Sequence, residues 1–407
     1  MWLINVNTGE LKEFAEAVVP QYGILSHTWN NEELLFQDLA DDFEAAKERS
    51  CYEKIRGCRM MAEKYNLDWV WVDTCCIDKR SSAELSEAIN SMFAWYKNAA
   101  ICFVYLQDVS AGGVLEGAND LDDEFSKSRW FTRGWTLQEL IAPRVMIFVS
   151  RCWSVLGTKG YLGDGMFELT DKLCAITAVE RFVLLGQTPL TDVFVAQRMS
   201  WSSNRQTTRH EDKAYCLMGL FNVHMPITYG EGLEKAFRRL QLEIISGSPD
   251  ETIFAWRAER MYSGFLAKTP VDFINSGDVQ KCVTTVEPFR LFEMTNLGLK
   301  ITVKVYGPFG LDSASGGQDG GFVLVPIRAL LLNRAGKLVD IYLALERVLQ
   351  TSCGKRVLYR RAKCNEFVRP SDHIHPSMGT VQKILVLEDE HYNEVSWFSE
   401  HEKMMRK

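Results

Sequence analysis

The chain has 407 residues, of which 46% are hydrophobic and 24% are charged. These proportions are typical of a soluble globular protein with a full core, and the length suggests two or three domains. The formal net charge of −7 at pH 7 argues against a nucleic-acid-binding protein, because such proteins normally present a basic face.

The cysteines and the apolar runs indicate a cytoplasmic protein. The eleven cysteines are scattered without Cys-x-x-Cys pairs, and the N-terminal residues lack the basic region and apolar stretch of a signal peptide. The longest apolar run, residues 321–332, is interrupted by Arg328 and is too short to span a bilayer. We therefore expect reduced cysteines, no membrane span and a cytoplasmic location.

Strands and helices alternate in the first third of the chain. Apolar residues recur at helical spacing between Cys51 and Tyr65, and Ser81 with Glu84 matches a capping box at the start of a further helix. Such alternation predicts a parallel, doubly wound α/β sheet. The strands predicted for this sheet are 22–26, 69–72, 101–106 and 145–149.

The predicted secondary structure changes twice in the rest of the chain. Residues 165–250 are predicted to be mainly helical, and apolar runs typical of strands recur from Thr252 onward. A glycine-rich stretch at 315–321 indicates a hairpin tip. We therefore expect three domains, which are an α/β domain at 1–160, a helical region at 161–250 and a β-rich C-terminal domain at 251–407.

One carboxylate, Glu139, lies on an otherwise apolar helical stripe. Its neighbours on this stripe include Trp135, Leu137 and Leu140. Among such neighbours a glutamate finds a partner, stays at the rim, or has its pKa raised by desolvation. Carboxylates with raised pKa values are frequent in active sites, whereas periodicity alone favours an exposed helix glutamate.

Polar residues follow the predicted strands at three places, 26–29, 73–78 and 129–139. In open α/β sheets, ligands bind at the carboxyl ends of the strands, so the fold can bring the three groups to one rim. Within the third group, Arg129 could face a phosphate or solvent. Trp135 could stack on a planar ring or pack in the core.

The other candidates also have structural interpretations. His27 could be a catalytic base or a hydrogen-bonded structural imidazole. Cys75 could be a nucleophile beside it or a buried thiol that packs as a small hydrophobe. Asp73 and Asp78 could hold Mg²⁺ or accept hydrogen bonds from loop N–H groups. No second histidine lies near His27 and no cysteines have ligand spacing, so we expect no metal site.

Three blocks of sequence resemble the signature blocks of the fungal HET (heterokaryon incompatibility) domain. The blocks are 24–29 (Ile-Leu-Ser-His-Thr-Trp), 70–78 (Val-Trp-Val-Asp-Thr-Cys-Cys-Ile-Asp) and 133–140 (Arg-Gly-Trp-Thr-Leu-Gln-Glu-Leu). Their order and spacing match over roughly residues 20–150. Residues 197–232 are similar to the segment that commonly follows this domain in filamentous fungi. The resemblance implies a cell-death effector in heterokaryon (vegetative) incompatibility, which would have an incompatibility partner protein.

A second, more distant resemblance is to TIR domains. Ser128-Arg129-Trp130, followed by Trp135-x-Leu-x-Glu139-Leu140, is similar to the TIR helix that carries the catalytic glutamate of NAD-cleaving members. The order of the predicted strands fits a TIR-like or flavodoxin-like parallel sheet. The loop from Cys75 to Ser82 departs from the TIR pattern, which weakens the carry-over at that position.

The TIR resemblance implies cleavage of NAD at the nicotinamide–ribose bond, with Glu139 as the catalytic carboxylate and no cofactor. It also implies self-association, because TIR enzymes generally work as assemblies. The implied substrate-binding candidates are Ser26, His27, Trp29, Asp73, Cys75, Asp78, Arg129 and Trp135. Two alternatives stay open: a non-enzymatic death-signalling and self-assembly module, and a different nucleotide-processing enzyme that uses the same pocket.

Overall fold

A computed structural model describes residues 1–110, 120–160, 167–281, 292–309, 322–332, 338–350, 357–367 and 379–388. The chain divides into two compact units. The first comprises Met1–Asp192 and Asn204–Leu233, and the second comprises Val193–Ser203 and Glu234–Lys407. The predicted helical region contributes to both units. The three-domain division with boundaries at 160 and 250 stays a prediction.

The first unit contains a seven-stranded mixed sheet with the order β2-β1-β4-β3-β5-β6-β7. Its four central strands, β4, β3, β5 and β6, are parallel. These strands are β1 (Trp2–Asn5), β2 (Leu11–Glu13), β3 (Gly23–His27), β4 (Trp69–Trp71), β5 (Ile101–Tyr105), β6 (Met146–Val149) and β7 (Val155–Lys159).

The outer strands of this sheet correct the prediction of a wholly parallel sheet. β1 is antiparallel to both β2 and β4, and β7 is antiparallel to β6. Only residues 150–154 join β6 to β7, whereas a parallel pair needs a crossover of a dozen or more residues. β1 and β2 are joined by a tight turn in which the Asn5 side chain accepts hydrogen bonds from the N–H groups of Asn7 and Thr8.

Twelve α-helices lie in the described ranges. The α-helices are α1 (Phe36–Asp41), α2 (Phe43–Lys47), α3 (Tyr52–Lys64), α4 (Ser82–Asn98), α5 (Asp120–Ser126), α6 (Thr136–Ile141), α7 (Thr170–Thr177), α8 (Arg181–Leu184), α9 (Val195–Ser200), α10 (Asp212–Tyr215), α11 (Met218–Phe221) and α12 (Leu233–Gly247). Short 3₁₀ helices lie at Glu16–Val18, Arg129–Thr132, Leu190–Asp192, Glu251–Phe254 and Pro270–Phe273. The predicted mainly helical character of the middle region is confirmed for its described residues.

The capping box predicted for α4 is only half formed. Ser81 Oγ accepts a hydrogen bond from Glu84 N at 3.2 Å, as expected of an N-cap. The Glu84 carboxylate instead accepts from Asp78 N at 2.9 Å. The second contact therefore ties the loop after β4 to the start of α4.

β3 lies at the centre of the sheet and ends in two polar residues. All five of its residues are buried, since β4 and β5 flank it in the sheet. A parallel strand covered on both faces reads as a continuous apolar run, and Ile24 and Leu25 fit this rule. Ser26 and His27, at the carboxyl end of the strand, break the apolar run.

The second unit is rich in β-structure, as predicted. Its eight-stranded sheet has the order β10-β11-β15-β14-β13-β12-β9, with β8 paired to β14 and β11 also paired to β12. Among the described strands of this sheet, β14 and β15 are the one pair that is parallel. The strands are β8 (Tyr262–Ser263), β9 (Val279–Lys281), β10 (Phe292–Met294), β11 (Gly298–Phe309), β12 (Phe322–Leu332), β13 (Leu338–Gln350), β14 (Val357–Ala362) and β15 (Thr380–Leu387). The hairpin tip predicted at 315–321 lies outside the described residues.

No helix in the described ranges combines the length and the apolar character that a bilayer crossing requires.

Candidate functional site

Residues from three separate segments meet at the carboxyl ends of β3 and β4. Ser26 Oγ, on β3, donates a hydrogen bond to Glu139 Oε2, on α6, at 2.5 Å. The next residue, His27, lies 2.9 Å from Asp73, which follows β4. The structure therefore brings Ser26, His27, Asp73 and Glu139 together at one edge of the parallel strands, where ligands bind in open α/β sheets.

Glu139 is a buried carboxyl group. It is 6% exposed, and its partner Ser26 also accepts a hydrogen bond from Trp130 Nε1 at 2.7 Å. Burial raises the pKa of Glu139 to about 8; the hydrogen bond from Ser26 opposes this rise, the charge of Asp73 adds to it, and a hydrogen bond with Tyr96 opposes it. The carboxyl group is therefore mainly protonated at neutral pH.

His27 lies between a cation and a carboxylate. Its Nδ1 is 2.9 Å from Lys54 Nζ, and its Nε2 is 2.9 Å from Asp73 Oδ1. An ammonium group can only donate and an ionised carboxylate can only accept, so Nδ1 accepts and the proton lies on Nε2. Lys54 also donates to Glu33 at 2.5 Å. The imidazole is thus held in one tautomer from both sides.

Asp73 stays ionised although its surroundings are partly buried. Burial alone would raise its pKa, but the hydrogen bond from His27, the charge of Lys79 and the hydrogen bond from Trp29 outweigh it and lower the pKa to about 2. Trp29 Nε1 donates to Asp73 Oδ2 at 2.6 Å. The carboxylate therefore connects the buried imidazole to an indole at the surface.

Beside this cluster lies an open cleft of about 490 Å³. Trp29, which is 44% exposed, forms part of its wall, and Lys79 Nζ lies 3.8 Å from the centroid of the indole ring. Arg129 also lines the cleft and donates to the carbonyl of Trp29 at 2.6 Å. The lining residues are Trp29, Asn30, Asn31, Glu32, Ser50, Cys51, Gln107 and Arg129. An exposed aromatic face, amides and a guanidinium suit a planar, anionic ligand such as a nucleotide.

The remaining candidates lie elsewhere. Cys75 is fully buried and its thiol faces the carbonyl of Leu34 at 3.2 Å; burial raises its pKa to about 12, so it is not a ready nucleophile. Asp78 pairs with Arg80 at 2.8 Å. Trp135 Nε1 donates to Asp212 at 3.2 Å. None of Cys75, Asp78 and Trp135 is among the residues that line the cleft.

The part of the chain that the structure describes contains no group of three or more His, Cys, Asp or Glu side chains placed to hold a metal ion. Asp73 instead accepts hydrogen bonds from His27 and Trp29. These donors are side chains, whereas the sequence-based alternative to a metal site expected loop N–H groups as donors.

Several residues that build the site are missing from the sequence-based candidates. Lys54 lies four residues before Cys58 on the buried face of α3. A lysine on an apolar helical stripe is unusual, and its position in the sequence could have identified it as a candidate. Asp108 accepts from Ser128 Oγ and from Arg129 N, both at 2.7 Å, and so fixes the segment before α6. Arg205 lies far along the chain, and no local pattern points to it.

Comparison with known proteins identifies a family that matches part of the chain. Residues 22–123 match the family described as heterokaryon incompatibility protein (HET). This part of the chain is therefore similar to a HET domain. Ser26, His27 and Asp73 lie inside the matched HET residues, whereas α6 and Glu139 lie beyond their end. Residues 235–296 match a domain of unknown function, DUF8212.

A curated relative supports the HET assignment. The chain is 46% identical over 236 residues to vegetative incompatibility protein HET-E-1 of Podospora anserina. The match covers 57% of this chain and 17% of that relative, so this chain spans less than a fifth of the relative's length. No solved structure matches the chain.

Proposed function

We propose that this HET-domain protein is a cell-death effector in heterokaryon incompatibility, and that it cleaves NAD at the nicotinamide–ribose bond. The incompatibility role is supported by the HET match and by the name of the Podospora relative. The enzymatic part is supported by one observation above all. Glu139, a buried carboxyl group with a raised pKa, contacts Ser26 at the carboxyl edge of the sheet.

The strand order supports the proposed relationship to TIR-like and flavodoxin-like folds. Numbered along the chain, the parallel strands are β3, β4, β5 and β6, and their order in the sheet is second, first, third, fourth. This order is the beginning of the flavodoxin-like arrangement 2-1-3-4-5. Fold analogy alone does not carry the chemistry, so the proposal depends on Glu139.

In the proposed reaction, the bond between C1′ of the ribose and the nicotinamide nitrogen breaks, and nicotinamide leaves with the bonding electron pair. The ribose passes through an oxocarbenium-like state. Water then adds to C1′ and releases one proton, which gives ADP-ribose. An ionised Glu139 would stabilise the positive charge, an effect on the order of 3–4 kcal/mol for one preorganised group. NAD is the substrate, and the reaction needs no cofactor.

The positively charged nicotinamide ring of NAD favours ionisation of Glu139, because an opposite charge lowers a carboxyl pKa. Trp29 is proposed to stack on a ring of the substrate, and Arg129 to contact a phosphate. Glu139 does not line the cleft in this structure. The proposal therefore requires the segment that carries Trp29 to move when substrate binds.

The test is incubation of the purified chain with NAD. We expect release of nicotinamide and ADP-ribose, and loss of this activity in Glu139→Gln. Glu251→Gln is the matched control, because Glu251 is also buried, at 2% exposure, but belongs to the second unit. Full activity in Glu139→Gln would reject the catalytic assignment. Product analysis by mass would distinguish hydrolysis from cyclisation or base exchange.

A second candidate function is a non-enzymatic death-signalling module that acts by self-assembly. The observation that favours it is the low exposure of Glu139, whose hydrogen bond to Ser26 also suits a structural carboxyl group. A cell-death assay separates the two. Death that persists with Glu139→Gln, and is lost when self-association is disrupted, would support the module over the enzyme. Self-association and an incompatibility partner protein stay predictions.

A further inference from the structure

A segment distant in sequence holds the N-terminal end of the helix that carries Glu139. α6 has six residues, and its N-cap Trp135 makes no side-chain cap. Helices this short are not stable on their own. Gly134 N donates to Gln206 O at 2.8 Å, and Gln206 N donates to Thr132 O at 2.7 Å. This backbone bridge attaches the entry of α6 to residues 204–233 of the same unit.

Arg205 adds a buried guanidinium at the first turn of α6. It is 5% exposed, and its Nη1 donates to Arg133 O at 2.9 Å and to Thr136 Oγ1 at 3.0 Å. The Thr136 hydroxyl in turn donates to Trp130 O at 2.5 Å. Trp130 is the residue whose indole donates to Ser26, the partner of Glu139. Arg205 and the carboxyl group of Glu139 are therefore connected by two sets of hydrogen bonds, one to the backbone and one to the side chain of Trp130.

The charge of Arg205 is costly to bury, since taking a cation out of water carries a penalty of several kcal/mol. Burial lowers the pKa of Arg205 to about 10. A neutral donor could make the same two hydrogen bonds without that penalty. The cation also favours the ionised form of Glu139, which a neutral donor would not do.

We propose that Arg205 is a positioning residue for Glu139, which fixes the first turn of α6 and, through Thr136 and Trp130, the Ser26 hydroxyl. Arg205 is outside the residues that match the HET family. The proposal therefore adds the segment 204–233 to the residues that position Glu139. The kinetic arm of the test rests on the proposed NAD cleavage. The titration arm does not, because it follows Glu139 directly.

The titration of Glu139 depends on groups from every element packed around it. These groups are Asp73 after β4, Tyr96 on α4, Cys102 on β5, Arg133 before α6, and Arg205. Only Arg205 is changed in the experiment, so a shift in the titration reports on its contribution.

The experiment compares Arg205→Met and Arg205→Lys in the full chain. Infrared spectroscopy follows the carboxylic-acid band that disappears in Glu139→Gln, as a function of pH. Arg205→Met should move this titration upward by about one pH unit, as expected for loss of a nearby cation. Arg205→Lys retains the charge and should titrate close to the wild type. With NAD, Arg205→Met should lower kcat about tenfold and change KM little, because the cleft residues are untouched.

The matched control is Arg361→Met. Arg361 is also a buried arginine, at 1% exposure, and it donates to Phe254 O at 3.0 Å and to Trp256 O at 2.6 Å in the second unit. A merely structural arginine would lower the folded fraction without moving the titration or kcat of the folded protein. An unchanged Glu139 titration in Arg205→Met, or an equal shift in Arg361→Met, would overturn the proposal. If wild-type protein leaves NAD intact, the proposed function fails and the titration alone decides the role of Arg205.

Discussion

Two carboxyl groups at the same edge of the sheet have pKa values displaced in opposite directions. Desolvation raises the pKa of Glu139 to about 8, whereas His27, Lys79 and Trp29 overcome burial and lower the pKa of Asp73 to about 2. Pairs of this kind are typical of acid–base sites, because one group carries a proton at neutral pH and the other carries a charge. Here they are linked through the adjacent residues Ser26 and His27.

At the residue scale, the raised pKa of Glu139 predicts a pH-dependent stability. Between about pH 4.5 and about pH 8, the folded state holds a proton on Glu139 and the unfolded state does not. The free energy of unfolding therefore falls as pH rises through this window. Glu139→Gln lacks this proton, so its stability relative to wild type should increase by several kcal/mol across the window, at about 1.4 kcal/mol per pH unit.

Urea denaturation at several pH values between 4 and 9 measures this effect. Glu44→Gln is the control, because the Glu44 side chain is 81% exposed and is solvated in both states. Wild-type and Glu139→Gln stabilities that run parallel with pH would show that Glu139 is not a buried protonated acid.

At the scale of elements, α6 is held at both ends by residues from outside the helix. Lys159, on β7, donates to the carbonyls of Leu140 and Pro143 at 2.6 and 2.7 Å and so caps its C-terminal end. At the other end, the segment 204–233 packs closely on Gly134. A helix of six residues keeps its geometry only through such tertiary contacts. Substitutions at either end of α6 are therefore expected to change the position of Glu139.

Gly134→Ala tests the packing at the N-terminal end. A Cβ at this position would lie 2.5 Å from Thr207 Cγ2 and 3.2 Å from Cys216 Sγ. We expect a loss of about 1–3 kcal/mol in stability, as for other overpacked sites, measured by chemical denaturation. Gly247→Ala is the matched control, because a Cβ there meets no heavy atom within 4 Å, and alanine favours helix over glycine. Equal stabilities of the two variants would contradict the packing argument.

At the scale of the whole molecule, the first unit is assembled from two stretches of the chain. Asn204–Leu233 belongs to it together with Met1–Asp192, and Asp212 illustrates the connection. Its carboxylate accepts from Trp135 Nε1 at 3.2 Å and from Tyr229 OH at 3.0 Å. The first unit thus extends well past residues 22–123, which match the HET family.

A truncation tests this assembly. A chain that ends after residue 160 loses the partners of Gly134, Trp135 and Thr136, so we expect it to lose the cooperative thermal unfolding transition. A chain that ends after residue 233 should keep this transition, since it retains both stretches of the first unit. Circular dichroism during heating measures the difference. Cooperative unfolding of the shorter chain near the full-length temperature would contradict the prediction.

Local patterns in the sequence predicted the strand–helix alternation, the β-rich end and the candidates Ser26, His27, Asp73 and Glu139. These follow from local periodicity and from the rule that polar residues at strand ends face a common edge. The antiparallel outer strands were missed, because short connections outweigh the alternation pattern there.

Only the tertiary structure decided which side chains surround Glu139 and what state they hold it in. Its pKa depends on exclusion of water by packed neighbours and on charges brought from other segments. Arg205 reaches α6 from a segment 66 residues beyond Glu139 along the chain, and Lys54 reaches His27 from α3. Contacts between segments so far apart have no local signature, because they depend on how the elements pack rather than on their own periodicity.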